Sequence, residues 1–409
     1  MSRTLTTFEL ERFHEQDWAQ VAPRLSTAVR ESLERVLETR DGGTLSHQQC
    51  LLLAAADGDD LLGLLLAADQ LRRTLVGDVV TYVVNRNINF TNICFVGCKF
   101  CAFSRGPREA DAYFLSPEEV AAKAAQARQQ GATEVCIQGG LPHGLHPFYY
   151  RDILLAVKRA VPDIHIHAFS PMEIVHGVDL TGMPLADYLS MLRDSGLDTL
   201  PGTAAEILDD DVRHVLSRNK LSTRQWREVI TTAHRCGIRS TSTLMYGHIE
   251  TPEHWVNQLL LLRQIQAETR GFTEFVPLGF VHSNTLLYQQ GIARPGPTLA
   301  EHLKIHALSR VMLAGAISNV QVSWVKLNRG LSQLCLRAGA NDYGGTLMEE
   351  NISREAGATA GQYTSPQEFH QLIREIGRIP AERNTAYTKI TRIPEPGTLP
   401  SEPAQVACA

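Results

Sequence analysis

The chain has 409 residues, of which 44% are hydrophobic and 20% charged, and its formal net charge is −5. This composition is that of a globular protein long enough to bury a large core. The mild acidity excludes the basic footprint of a nucleic-acid-binding protein, and no block of Lys or Arg indicates an anionic membrane. The amino terminus lacks the apolar stretch of a signal peptide, and Asp57, Asp59 and Asp60 interrupt the most apolar run, at 51–71. We therefore expect a cytoplasmic protein that neither spans a membrane nor binds nucleic acid.

The first 77 residues differ in pattern from the rest. Residues 1–44 are polar and charged, whereas 45–77 contain short apolar stretches, with Ser46 placed to cap the first of their helices. We expect 1–77 to form a helical extension outside the main fold.

From residue 78 onward, short β-branched or apolar segments alternate with longer helical stretches, a pattern typical of βαβ units. Helix starts carry strong signals: Ser116 followed by Pro117 and Glu119 predicts a capping box, and Ser365 begins the same arrangement. The strands are predicted at 79–88, 134–140, 164–170, 198–203, 239–247, 274–281, 319–325 and 340–347.

Eight such alternations predict an α/β fold, a (βα)8 barrel over 78–360. A helix within 361–392 is expected to pack on the barrel, and the Pro-rich segment 393–409 is expected to be disordered. A doubly wound sheet also alternates, but no dinucleotide-binding glycine motif follows the first strand. In a barrel, reactive groups gather at the carboxyl ends of the strands, so the segments that follow the strands are the places to search.

Three cysteines, Cys94, Cys98 and Cys101, directly follow the first predicted strand. A structural zinc site usually needs four ligands and a redox pair needs two thiols, while the remaining cysteines are scattered singly along the chain. Three thiolates on one loop can instead hold three irons of a cubane iron–sulfur cluster and leave the fourth iron open to a small molecule. A zinc-stabilised binding protein without catalytic activity is the alternative from another class.

The spacing C-x3-C-x-F-C, with Phe100 before the last cysteine, resembles that of the radical S-adenosylmethionine (radical SAM) superfamily. The resemblance implies a 4Fe–4S cluster held by Cys94, Cys98 and Cys101, with S-adenosylmethionine (SAM) on the open iron and Phe100 beside the cofactor. It also implies an electron donor, because one electron cleaves SAM to a 5′-deoxyadenosyl radical.

Longer segments, among them "EVCIQGGL", "HAFSPMEI", "PGTAAEILDDDVR" and "GANDYGGTLMEENISREAG", resemble one family within that superfamily. It is the FO synthase subunit that joins tyrosine to a ribityl diaminouracil, the 5-amino-6-(D-ribitylamino)uracil–L-tyrosine 4-hydroxyphenyl transferases. The resemblance implies that the Cα–Cβ bond of L-tyrosine breaks and that the 4-hydroxybenzyl radical adds to 5-amino-6-(D-ribitylamino)uracil. It further implies a second radical SAM subunit as functional partner. Radical SAM enzymes of the futalosine pathway to menaquinone share several of these segments and are the alternative.

The same resemblance places the SAM-binding residues. Gly139 and Gly140 are expected to admit the methionine group close to the backbone, Ser170 to contact the cofactor, and Glu206 to accept hydrogen bonds from the ribose. A carboxylate that stabilises a helix amino terminus is the alternative for Glu206. Many radical SAM enzymes end the second strand in Gly-Gly-Glu, whereas Leu141 follows the two glycines here.

The candidate catalytic residues are His167, His248 and Glu250. His167 lies on the third predicted strand, where a hydrogen-bonded core histidine is the alternative, and the other two follow the fifth strand, where loop hydrogen bonding is the alternative. Asn341 and Asp342, at the eighth strand, are expected to bind substrate, with helix capping as the alternative.

Overall fold

A computed structural model describes residues 4–394 of the chain. Its centre is a set of strands that are parallel to one another except for the last. The strands are β1 (Val79–Val83), β2 (Asn85–Ile88), β3 (Glu134–Ile137), β4 (His165–Ala168), β5 (Thr199–Leu200), β6 (Arg239–Tyr246), β7 (Phe272–Gly279), β8 (Asp342–Gly345), β9 (Ile379–Arg383) and β10 (Ile390–Arg392).

The strands curl into a barrel. One sheet has the order β2–β3–β4–β5–β6–β7 and the other the order β10–β9–β1–β8. Only Val84 separates β1 from β2, so one extended segment joins the two sheets on one side. On the other side, parallel bridges from Phe275 to Val320 and from Gln321 to Asp342 link β7 to β8. The predicted α/β barrel class is confirmed.

One predicted strand is wrong. The segment 319–325 contributes only the two bridges just described and then forms a short 3-10 helix, Trp324–Lys326. The backbone N–H of Trp324 donates to the carbonyl of Val322, and the indole N–H donates to the carbonyl of Gly345. The chain therefore turns toward the barrel interior, and its alternating apolar residues are buried without forming a strand.

The helices surround the barrel and extend before it. They are α1 (Thr7–Glu11), α2 (Trp18–Val21), α3 (Thr27–Thr39), α4 (His47–Ala54), α5 (Gly58–Val76), α6 (Pro117–Gln129), α7 (Tyr149–Ala160), α8 (Pro171–Thr181), α9 (Leu185–Asp194), α10 (Asp210–Leu216), α11 (Thr223–Arg235), α12 (Pro252–Thr269), α13 (Leu286–Gln289), α14 (Leu299–Leu313), α15 (Arg329–Arg337), α16 (Ile352–Glu355) and α17 (Pro366–Glu375). Within residues 4–394, no helix combines the length and the apolar character needed to cross a membrane.

The helix caps predicted at Ser46, Ser116 and Ser365 are confirmed, since each serine side chain accepts from the backbone N–H three residues later. The amino-terminal helices do not stand apart from the barrel: α4 packs on α12, and α5 packs along α14. The division of the chain at residues 77 and 360 stays a prediction.

The end of the described chain closes the amino-terminal end of the barrel. After α17, β9 pairs in parallel with β1, an element that the sequence did not predict. Arg383, at the end of β9, reaches into the barrel and donates to Asp342 at 2.6 Å and to Glu274 at 3.2 Å. The segment predicted to be disordered, 393–409, lies outside the described residues from 395 onward. One end of the barrel is thus filled, and the carboxyl ends of the strands remain for a ligand.

Candidate active site

The cysteine loop lies at the carboxyl end of β2. Backbone hydrogen bonds fix it, from Cys94 N to the carbonyl of Arg105 and from Phe95 N to that of Leu141. Gly97 has a φ of +70°, a conformation that glycine adopts without strain. Cys94, Cys98 and Cys101 all line one cavity of about 230 Å³. The three thiols therefore face a shared space, and a turn closed by the hydrogen bond from Cys101 N to the carbonyl of Cys98 joins the last two.

This cavity is chemically suited to an iron–sulfur cluster. No three His, Cys, Asp or Glu side chains in residues 4–394 converge on one metal ion. A cubane does not require such convergence, because each cysteine binds a different iron. Burial raises the pKa of Cys98 to about 11 and also raises the pKa of Cys101. The thiols of Cys98 and Cys101 are therefore protonated at neutral pH, and metal binding would release their protons.

Gly139 and Gly140 follow β3 and line the same cavity. A Cβ atom on Gly139 would lie 2.7 Å from the ring of Phe90, and one on Gly140 would lie 2.2 Å from the carbonyl oxygen of Ile93. The absence of side chains therefore allows the cysteine loop to pack directly against the end of β3. The two glycines therefore line the cavity and also allow the close packing that holds the cysteine loop in place.

Ser170 also lines the cavity and acts through Glu173, a residue that sequence reasoning missed. Ser170 caps α8, and its backbone N–H and hydroxyl donate to Glu173 at 2.7 and 2.6 Å. The second carboxylate oxygen of Glu173 accepts from Gly139 N at 3.0 Å, and this contact ties α8 to the end of β3. Burial raises the pKa of Glu173 to about 7. The signal was present, because "SPME" repeats the Ser-Pro-x-Glu pattern that starts at Ser116.

Glu206 faces the cavity from the segment after β5. Its Oε1 accepts from Lys220 Nζ at 2.6 Å, and the same ammonium lies 4.7 Å from the centroid of the Phe100 ring. The buried Oε2 has no hydrogen-bond partner, although Arg213 stands 3.9 Å away. A buried carboxylate oxygen without a donor fits a ligand that brings hydroxyl groups. Lys220 and Arg213 were not predicted, since each is a lone basic residue in a loop or helix.

The barrel interior forms a second cavity of about 260 Å³, which adjoins the first at Gln138 and Thr203. His167 lines it, and its Nδ1 is 2.7 Å from the hydroxyl of Thr199. Burial lowers the pKa of His167 to about 4, so its ring is neutral at pH 7. Two polar groups in the lining, Asn87 Oδ1 and the Tyr343 hydroxyl, are buried without partners. The interior therefore suits a polar ligand.

His248 and Glu250 are not brought to these cavities. Glu250 accepts from the backbone N–H of Gly247 at 2.6 Å and from the indole of Trp255 at 3.2 Å, and His248 Nδ1 is 3.2 Å from Glu250. Both side chains are buried beneath the loop after β6. These contacts fit the alternative expectation of loop hydrogen bonding, because their partners belong to the same loop and to the helix that follows it.

Asn341 and Asp342 lie at the wrong end of the barrel for substrate binding. β8 begins at Asp342, so the carboxyl end of that strand is at Gly345. Asn341 accepts from Arg310 at 2.6 Å, and Asp342 is bound by Arg383. The expectation of substrate contact is corrected: these side chains stabilise the closed, amino-terminal end.

Comparison with known protein families shows the class of enzyme to which the chain belongs. Residues 88–262 match the radical SAM superfamily and residues 269–396 match the CofH/MqnC C-terminal region. Methylornithine synthase (PylB) superposes with a TM-score of 0.65 at 18% identity over 86% of this chain and 97% of its own. The hydrogenase maturase HydG from Carboxydothermus hydrogenoformans gives 0.67 at 16% identity, over 94% and 87% of the two chains. Together with the cysteine loop and its cavity, these matches define the chain as a radical SAM enzyme.

More similar relatives narrow the family. The chain is 48% identical to the 5-amino-6-(D-ribitylamino)uracil–L-tyrosine 4-hydroxyphenyl transferase of Methanothermobacter thermautotrophicus, over 88% of this chain and 99% of the relative. The same-named protein of Methanocaldococcus jannaschii is 51% identical over 81% of this chain and 93% of its own. The chain belongs to this transferase family. An FO synthase of Nocardia farcinica is 55% identical over 93% of the chain, but the chain spans only 44% of that longer protein.

Proposed function

We propose that the chain transfers the 4-hydroxybenzyl group of L-tyrosine to 5-amino-6-(D-ribitylamino)uracil in the biosynthesis of deazaflavin FO. The observation that carries the proposal is the identity of 48% to a transferase of that name, of which the chain covers 99%. The paired cavities support it, because the reaction needs a radical source beside a water-poor space that holds two polar substrates. None of the relatives described above supports a futalosine-type substrate.

In this proposal Cys94, Cys98 and Cys101 would bind the cluster in the cavity that they line. The other residues of that cavity hold SAM: Gly139, Gly140, Ser170 and Glu206, with Phe100 at the adjoining edge. When bound, the cluster and SAM would supply a 5′-deoxyadenosyl radical that takes a hydrogen atom from the substrate. The partnerless Oε2 of Glu206 would accept from a ribose hydroxyl, and Lys220 would hold that carboxylate in place.

The substrates would occupy the barrel interior. Burial keeps His167 neutral, and its Nδ1 lies 2.7 Å from the Thr199 hydroxyl. In the tautomer whose Nδ1–H donates to that hydroxyl, Nε2 is the ring nitrogen that would take a proton from the substrate amine. Asn87 Oδ1 and the Tyr343 hydroxyl would bind donors of the uracil or the ribityl chain. His248 and Glu250 have no substrate role in this arrangement, because their partners lie within the loop after β6.

We also propose a second radical SAM unit as functional partner, because the chain spans less than half of the FO synthases that it matches. An external electron donor would reduce the cluster. The cytoplasm is the proposed compartment, since clustered thiols stay reduced there.

The proposal is tested with anaerobically reconstituted protein, reductant, SAM, tyrosine and the ribityl diaminouracil. Mass spectrometry should detect 5′-deoxyadenosine together with the 4-hydroxybenzyl adduct. A parallel reaction replaces both substrates with a futalosine-type substrate. Adduct formation in the first reaction alone is the expected result, whereas turnover in the second alone would overturn the substrate assignment while leaving the radical SAM class intact.

A further inference from the structure

Lys326 lies beside the reaction space and, among the described residues, forms no salt bridge with a carboxylate. It ends the 3-10 helix that replaces the expected seventh strand, and it lines both the barrel interior and a neighbouring cavity of about 160 Å³. That neighbouring cavity also contacts Cys101 and Glu206. Lys326 therefore stands where the substrate space meets the cofactor space.

The hydrogen bond of Lys326 is made to a neutral hydroxyl and not to a carboxylate. Its Nζ donates to the hydroxyl of Ser353 at 2.6 Å, which uses one of three N–H groups. Glu350 acts on Lys326 electrostatically, but its hydrogen bonds are to other groups: it accepts from Ser353 N at 2.7 Å and from the side chain of Asn87. Burial lowers the pKa of Lys326, and the Glu350 carboxylate opposes that shift.

The other cations of the connected cavities are already paired. Arg383 is bound by Asp342 and Glu274, and Lys220 is bound by Glu206. Among the described residues that line these three cavities, Lys326 alone is a cation with no carboxylate within 4 Å. A charge removed from water is stabilised when an opposite charge arrives with hydrogen-bonding geometry, so the site is complementary to an anionic group.

We propose that Lys326 binds the carboxylate of the amino-acid substrate. This inference rests on the proposed function, in which tyrosine carries the carboxylate and the ribityl diaminouracil carries no anionic group. Binding of the carboxylate at Lys326 fixes the orientation of the amino acid in the cavity. Its carboxylate faces Lys326, and its ammonium group faces away because the lysine charge repels it. The Cα–Cβ bond is then held between Lys326 and the cofactor side of the cavity.

The test compares tyrosine with tyrosinamide, which lacks the negative charge but keeps the ring and the amine. Binding of each compound to reconstituted enzyme with SAM is measured by calorimetry. The specificity constant, kcat/KM, is measured for each compound from the release of 5′-deoxyadenosine. We expect the wild type to prefer tyrosine roughly 10- to 100-fold, the value of a hydrogen bond to a charged group. In Lys326→Met the preference should fall to about one, mainly through weaker tyrosine binding.

Two variants complete the experiment. Lys326→Arg keeps the charge and should retain part of the preference, which separates loss of the anchor from loss of folding. Lys158→Met, at a lysine that pairs with Asp198 on the outer helix α7, should leave the preference unchanged. If Lys326→Met lowers both compounds equally and keeps their ratio, the lysine acts as a base or a structural group and the proposal is overturned. If the wild type neither binds nor turns over tyrosine, the proposed function fails first and this inference fails with it.

Discussion

The side chains of Glu206 and Lys220 form a buried ion pair, with Lys220 Nζ 2.6 Å from Glu206 Oε1, while Glu206 Oε2 has no hydrogen-bond partner. The ammonium also lies over the ring of Phe100, so two side chains hold Glu206 in the lining of the cavity that the cysteines share. In the proposed function, Lys220 positions Glu206, and Glu206 is the group that a bound nucleoside would contact.

Replacing Glu206 tests this arrangement directly. We expect Glu206→Gln to raise the Kd for SAM roughly 10- to 100-fold, because a charged acceptor is replaced by an amide that Lys220 no longer orients. Equilibrium binding of SAM to the reconstituted protein measures the change. Glu268→Gln removes a carboxylate from a partly exposed pair with Arg227 and should not alter the Kd. Equal affinity in both variants would contradict the assignment of Glu206.

Replacing Cys98 separates an iron–sulfur cluster from a structural metal. We expect Cys98→Ala to lose bound iron, sulfide and the visible absorbance of the cluster while keeping its circular dichroism, because Cys98 lines the cavity and is not part of the apolar core. Cys236→Ala serves as control, since Cys236 is a single cysteine near Ser190 and away from the cavity. Unfolding of Cys98→Ala, with zinc in the wild type, would instead favour the zinc-stabilised alternative.

The contact between Gly140 and the cysteine loop predicts a third result. A methyl group at Gly140 would meet the carbonyl of Ile93 at 2.2 Å, so Gly140→Ala must displace the loop. We expect less than half of the wild-type iron per chain after reconstitution, measured by elemental analysis. Gly330→Ala, in the first turn of α15, would meet only Asn328 Oδ1 at 3.7 Å and should keep full iron content. A wild-type iron content in Gly140→Ala would contradict this prediction, because it would show that the displaced loop still binds the cluster.

Much of the fold was predictable because local signals and tertiary structure agree. The capping boxes at Ser116 and Ser365 and the alternation of strands and helices follow from short-range chemistry. The cysteine loop was predictable because three thiols at fixed spacing serve few purposes. Segment 319–325 was not, because burial against the barrel produces the same apolar alternation as a strand.

The remaining site depends on register and on contacts distant in sequence. The sequence does not show at which residue a strand begins. Asp342 was therefore predicted to lie near the carboxyl end of its strand, whereas it is the first residue of β8. Lys326 carries no local motif, although its position directly after a predicted strand was a usable signal. Glu173 was missed as a site residue because only the folded chain brings Gly139 within hydrogen-bonding distance of its carboxylate.

The glutamates of the two capping boxes that begin at Ser116 and Ser170 are predicted to change the stability of the fold with pH in opposite directions. Burial raises the pKa of Glu173 to about 7, whereas hydrogen bonds from the backbone and side chain of Ser116 lower the pKa of the exposed Glu119. The folded protein therefore binds the Glu173 proton more tightly than the unfolded chain does. Its contribution to stability is greatest below about pH 4.5 and is lost as pH rises through 7. The contribution of Glu119 is present above its unfolded pKa and is lost only as pH falls through the lower folded value.

Thermal unfolding of Glu173→Gln and Glu119→Gln between pH 5 and 8 checks this sign. The amide in Glu173→Gln does not titrate, so the wild type's advantage in the free energy of unfolding should shrink steadily as pH rises across that range. For Glu119→Gln the advantage should stay nearly constant, because the carboxylate is already ionised in both states. A constant difference for Glu173→Gln would mean that its carboxylate is ionised throughout. In that case the hydrogen bonds from Gly139 and Ser170 outweigh the cost of burial.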